Sequence, residues 1–240
     1  MRKILMFILI FIITGMLLTT GFAQTPEESL KKSFPKLKID SIQPSTIKGI
    51  YEVVTNNKII YYSSEADSLI VGEIITKEGQ NLTSQRQQAL LSGEITKKFK
   101  DIPLQKAISI GKGKHIVIEI TDPDCPYCRR ASEFLSKRTD LTRHIFFYPL
   151  PMHPKSADKV LYIFCAKDKA QAYEDAMTGK LDDMTFKPCE DPQARERLKD
   201  HKNVVDLLEV RGTPFFFVDG KTAVFGADIP QLERLLRDGK

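Results

Sequence analysis

"TDPDCPYCRR" occupies residues 121–130 and sets the question of the fold. Cys125 and Cys128 are separated by Pro126 and Tyr127. Such a pair can be half of a zinc site, a structural disulfide, or a redox couple that opens and closes. The zinc reading lacks ligands: Cys165 and Cys189 form no second CxxC, and His115, His144, His153 and His201 are scattered. Directly before the pair, "HIVIEIT" (115–121) reads as a strand, and the residues after it read as a helix to about Arg138. A strand feeding straight into a helix puts Cys125 at the N-cap. Pro126 falls at the first helical position, where its missing N–H costs nothing. The free N–H groups and the helix dipole favour a thiolate at Cys125. Cys128, one turn on, lies beneath it as the resolving thiol. Asp122 and Asp124 oppose the thiolate mildly, so no extreme pKa is expected.

Compartment decides whether a disulfide persists. Arg2 and Lys3 precede an apolar run over 4–18, and Gly21-Phe22-Ala23 supplies small residues at a cleavage site. Residues 1–23 therefore read as a secretory signal peptide, leaving a 217-residue mature chain from Gln24. The run is short of the ~20 residues that span a bilayer. The mature protein is expected to be exported to the periplasm, where disulfides survive. Loss of Arg2 and Lys3 takes the formal charge from +5 to +3. That weak bias, with no interleaving of basic and aromatic residues, argues against nucleic acid as a partner.

Outward from the motif the chain divides in two. Residues 24–83 carry β-branched runs, "KLKIDSI", "KGIYEVVT", "KIIYYS" and "SLIVGEIIT", with Asn56-Asn57 as a hairpin turn. They predict a small, mostly antiparallel sheet, marginal by itself. Residues 84–100 predict a helix capped by Thr83 or Ser84, either a connector between domains or a surface helix on one of them. From 101 to 240 the order is strand, CxxC, helix, strand (143–150), helices (155–208), a hairpin of 214–220 and 222–226 across an Asp-Gly turn, and a closing helix. The fold class is α+β to α/β, and the order resembles the thioredoxin layout.

Two further marks fit that layout. "RGTPFFFV" (211–218) resembles the cis-proline loop of thioredoxin-like proteins, so Thr213–Pro214 is expected to be cis, with Thr213 pairing to an extended substrate. Glu119 lies in a strand apolar on both faces. It is either outward-facing, or a buried acid with a raised pKa that exchanges protons with Cys128.

Together these segments resemble the DsbC/DsbG family of periplasmic disulfide isomerases. "SIQPSTIKGIYEVVTNNKIIYYS" resembles its N-terminal dimerisation domain, "CPYC" its active site, and "FCAKDKAQAYEDAMTGK" (164–180) its helical insertion. Glu119 is more reminiscent of thioredoxin and the oxidase branch. The resemblance implies a homodimer acting on misfolded exported proteins. It also implies Cys125, Cys128 and Glu119 as catalytic residues, Pro126, Tyr127, Thr213 and Pro214 as substrate contacts, no cofactor or metal, and a membrane thiol reductant of the DsbD type. An oxidase and a chaperone-like binding module are the competing functions. Cys165 and Cys189, the remaining pair in an oxidising compartment, are either a structural disulfide closing about 25 residues, worth ~3 kcal/mol, or two buried thiols.

Overall fold

The computed structural model describes residues 24–183 and 189–237, so the expected signal peptide lies outside the described residues. The chain divides into two compact units, the first ending at Gly72 and the second beginning at Glu73.

In the first unit, helix α1 (Pro26–Ser33) opens with a capping box. Thr25 accepts from the Glu28 N–H while the Glu28 carboxylate accepts from the Thr25 N–H. Strands β1 (Ser41–Pro44), β2 (Ile50–Thr55), β3 (Lys58–Ser63) and β4 (Ser68–Ile70) form one antiparallel sheet in sequence order. Asn56 and Asn57, at φ 47° and 60°, make the β2–β3 turn, a positive-φ pair of the type that suits tight hairpins. The core is thin: Leu30, Val53 and Tyr62 are fully buried, with half-buried residues such as Phe34 and Leu69 around them. "SLIVGEIIT" does not run on as one strand. It joins the sheet only over Ser68–Ile70, and Ile70 and Val71 stay exposed.

The second unit is built on a five-stranded sheet of β5 (Ile108–Ile110), β6 (His115–Thr121), β7 (Leu141–Phe147), β8 (Phe215–Val218) and β9 (Thr222–Phe225), ordered β5-β7-β6-β8-β9. Only β6 and β7 run parallel, with Thr121 opposite Phe147. Because β6 is central, Val117, Ile118 and Ile120 are buried, which explains its apolar character on both faces. Gly113 enters β6 so close to the neighbouring chain that a Cβ would sit 1.9 Å from the Asp140 carbonyl carbon.

Helix α2 (Leu82–Lys98) starts two residues before the expected helix, because Asn81 rather than Thr83 or Ser84 supplies the cap, accepting from the Ser84 N–H. It packs against β9, and Ile95 joins a core with Ile118, Phe146 and Phe217. Helix α3 (Pro126–Ser136) follows β6. Helices α4 (Ser156–Cys165), α5 (Lys169–Met177) and α6 (Pro192–Leu207) form the insertion between β7 and β8, and α7 (Ile229–Leu235) closes the unit. Among the described residues no helix is long and apolar enough to cross a membrane.

Candidate active site

The site begins where β6 stops. Cys125 is the N-cap of α3 in extended conformation and Pro126 occupies its first turn. Both cysteines are free thiols in this structure. Cys125 is 4% exposed and Cys128 is fully buried. Cys125 is thus more enclosed than a simple N-cap position suggests, because the Thr213 carbonyl lies 3.7 Å from its Sγ.

The two thiols are driven apart electrostatically. A hydrogen bond from Cys128 lowers the Cys125 pKa to about 5, helped by the Cys128 backbone N–H, the Thr213 side chain and the Tyr127 N–H, and opposed by burial. Burial pushes the Cys128 thiol far up, and its proximity to Cys125 adds to this. The expectation of a thiol without an extreme pKa is therefore corrected: the hydrogen bonds from Cys128, Thr213 and Tyr127 outweigh burial, and the neighbouring acids have partners of their own. Asp122 is wholly buried, but its carboxylate accepts from the backbone N–H groups of Asp124 and Leu150 and from the Ser156 hydroxyl, at 2.8, 2.8 and 2.6 Å, and meets His153 Nδ1 at 2.8 Å. Asp124 is met by the ammonium of buried Lys159. Lys159 also bonds Asp182 at 2.5 Å, and Arg129 grips Asp182 with two bonds of 2.7 Å. With their charge answered by donors, the two aspartates leave the thiolate less opposed.

Glu119 is buried, but its oxygens are taken up elsewhere. Oε2 accepts from Arg143 Nη2 at 2.8 Å and Nε at 3.2 Å, and Oε1 accepts from the Tyr173 hydroxyl at 2.8 Å. Arg143 is itself 3% exposed. What donates to Cys128 Sγ is the Asp122 backbone N–H, at 3.4 Å. The Thr213–Pro214 peptide is cis. Pro214 is buried, Pro126 and Tyr127 are exposed, and Tyr127 is 63% accessible. Cys165 and Cys189 form a disulfide that closes the insertion.

Residue-by-residue reading missed Arg143, Tyr173, Lys159, Arg129 and Asp182. Charged residues inside apolar stretches, such as Arg143 in β7 and Lys159 in "ADKVLYIF", were the available signal, since a buried charge requires a partner.

A reduced CxxC at a helix N-terminus, one thiol activated and the other shielded, on a sheet of this order, defines a thioredoxin-like thiol:disulfide oxidoreductase. The comparisons agree. The thioredoxin-like domain profile matches residues 102–240, and that of the disulfide bond isomerase protein N-terminal domain matches residues 21–84. The thiol:disulfide interchange protein DsbC of Escherichia coli is 26% identical over 217 residues, covering 88% of this chain and 87% of its own. The probable DsbC of Bordetella avium is 29% identical over 209 residues, with 85% and 72% covered. A solved disulfide interchange protein from Neisseria gonorrhoeae superposes with a TM-score of 0.47 at 30% identity, over 55% of this chain and 93% of that one. The chain belongs to the thioredoxin-like family, in the DsbC/DsbG group of thiol:disulfide isomerases.

Proposed function

We propose that the protein is a periplasmic, homodimeric disulfide isomerase and reductase, working on misfolded exported proteins. The observation that carries the chemistry is the split between the thiols: Cys125 is ionised near neutrality while Cys128 is held protonated. In the proposed cycle the Cys125 thiolate attacks one sulfur of a wrong disulfide. That S–S bond breaks, and the other substrate sulfur leaves as a thiolate. A substrate thiolate then attacks the mixed disulfide, giving a new pairing and restoring Cys125. Alternatively Cys128 attacks, so that Cys125–Cys128 closes and the substrate departs reduced, with two electrons transferred to it. A membrane thiol reductant of the DsbD type would return those electrons. Thr213 and Pro214 present the backbone on which an extended substrate segment lies, and Pro126 and Tyr127 flank the attacking sulfur.

Two features of the first unit support the dimer. Its core is too thin for an independent domain, and its outer strand β4 ends at exposed Ile70, followed by exposed Val71, an edge suited to another chain. One observation favours oxidation as a second activity: a thiol with a pKa of about 5 is also a good leaving group. Refolding of a scrambled multi-disulfide protein separates the two. The reduced enzyme should restore native pairings from fully oxidised scrambled substrate. Activity only with reduced substrate and oxidised enzyme would make it an oxidase.

A further inference from the structure

Strands β6 and β7 are parallel neighbours, so the chain leaves both at the same end of the sheet. The segment after β6 carries Cys125. The segment after β7, "YPLPMHPK" (148–155), starts beside it: the Tyr148 N–H donates to the Thr121 carbonyl at 2.8 Å. The second segment is then fixed to the first through one carboxylate. Asp122 accepts from the Leu150 N–H and the Ser156 hydroxyl and meets His153, while its own carbonyl accepts from the Cys125 N–H at 3.0 Å. Pro149, Pro151 and Pro154 stiffen the segment further. On this rigid, tethered loop Met152 stands 75% exposed, among the most exposed large apolar side chains described.

A loop so firmly built does not need an exposed thioether for its own stability. Methionine is flexible and polarisable, and suits surfaces that must accept many different apolar partners. Resting on the thiol-exchange reading above, we infer that Met152 is a specificity-determining residue. It receives the apolar side chain next to the reacting cysteine of an unfolded substrate, and so selects cysteines from sequences that belong in a protein core. Preorganisation of the loop keeps the cost of that contact low.

The test uses the full-length reduced protein and three disulfide probes: a peptide disulfide with Leu beside the cysteine, the same peptide with Ser there, and the neutral hydroxyethyl disulfide. Wild-type should reduce the Leu peptide faster than the Ser peptide. Met152→Ser should slow the Leu peptide by about tenfold, the scale of one buried apolar side chain, and leave the other two rates within about twofold. Met152→Leu should keep the preference. An unchanged Leu-to-Ser ratio in Met152→Ser, or an equal loss on all three probes, overturns the inference. Failure of the wild-type protein to reduce hydroxyethyl disulfide would overturn the thiol-exchange reading itself.

Discussion

Lys159 puts its ammonium inside the protein, 2% exposed, between Asp124 and Asp182. Its worth to the proposed chemistry is indirect: it answers the charge of Asp124, one residue before Cys125. Lys159→Met should therefore raise the Cys125 pKa above its value of about 5, by about a unit for a nearby uncompensated charge. Lys159→Arg should restore it. Thiolate absorbance of the reduced protein against pH reads this directly, and coincident curves for wild-type and Met variant would rule out the role. Because the folded pKa is depressed, the thiolate's stabilisation of the reduced state is fully present above the ordinary thiol range and is lost as pH falls toward 5. At this scale the sequence was half readable. The cysteines, Thr213 and Pro214 stand in recognisable motifs, and Glu119 could be placed in a buried strand. The partners could not be found, because Glu119 and Arg143 are 24 positions apart and meet only through the register of β6 and β7.

Helices and strands here are tied by a few polar side chains inside an apolar core. His201, on α6, is fully buried against Phe146, Phe147 and Phe164. Its Nδ1 accepts from the Phe147 N–H at 2.8 Å, so Nε2 carries the proton donated to the Lys106 carbonyl at 2.9 Å. One imidazole thus joins α6, β7 and the turn before β5. Burial depresses its pKa to about 4, below the unfolded value of about 6.5. Between those values the unfolded chain binds the extra proton, so the stability due to neutral His201 is present above pH ~6.5 and is lost as pH falls to ~4, up to ~3 kcal/mol. Urea midpoints of wild-type and His201→Gln should converge across that window; a constant gap would show that titration of His201 is immaterial. Most elements followed from periodicity and turn residues. β5 did not, since three residues of "ISI" give too short a pattern to register. The reach of β4 was overread, because a bridge from Ile75 to Asn81 and a bond from the Leu82 N–H to the Ile74 carbonyl engage the end of that apolar run instead.

For the whole molecule, the exposed apolar end of β4 is the place to test assembly. Val71 is 84% exposed, so replacing it costs the folded unit almost nothing, whereas a charge there should oppose pairing with another chain. Val71→Lys is expected to sediment as a monomer, to keep its reduction of small disulfides, and to lose most isomerisation of scrambled protein. A monomeric wild-type protein, or a variant that stays dimeric and isomerises normally, would reject the assembly. A division into two was expected from the change in composition near residue 80 and from the cysteines beyond it, whereas the two compact units divide at Gly72 and Glu73. The attachment of α2 to β9 was not readable, because its narrow stripe of Leu91, Ile95 and Phe99 suits a connector and a packed helix equally. The Glu119–Arg143 pair finally bears on how such a molecule can change over generations. Losing Glu119 leaves buried Arg143 with only the longer Glu174 contact at 3.5 Å to answer its charge, and losing Arg143 leaves the Glu119 carboxylate with only the neutral Tyr173 hydroxyl, either at ~3–5 kcal/mol, while two apolar replacements together are close to neutral. Single steps at these positions are therefore valleys, and descendants of this chain should keep both residues or exchange both, so that positions 119 and 143 are inherited as one character.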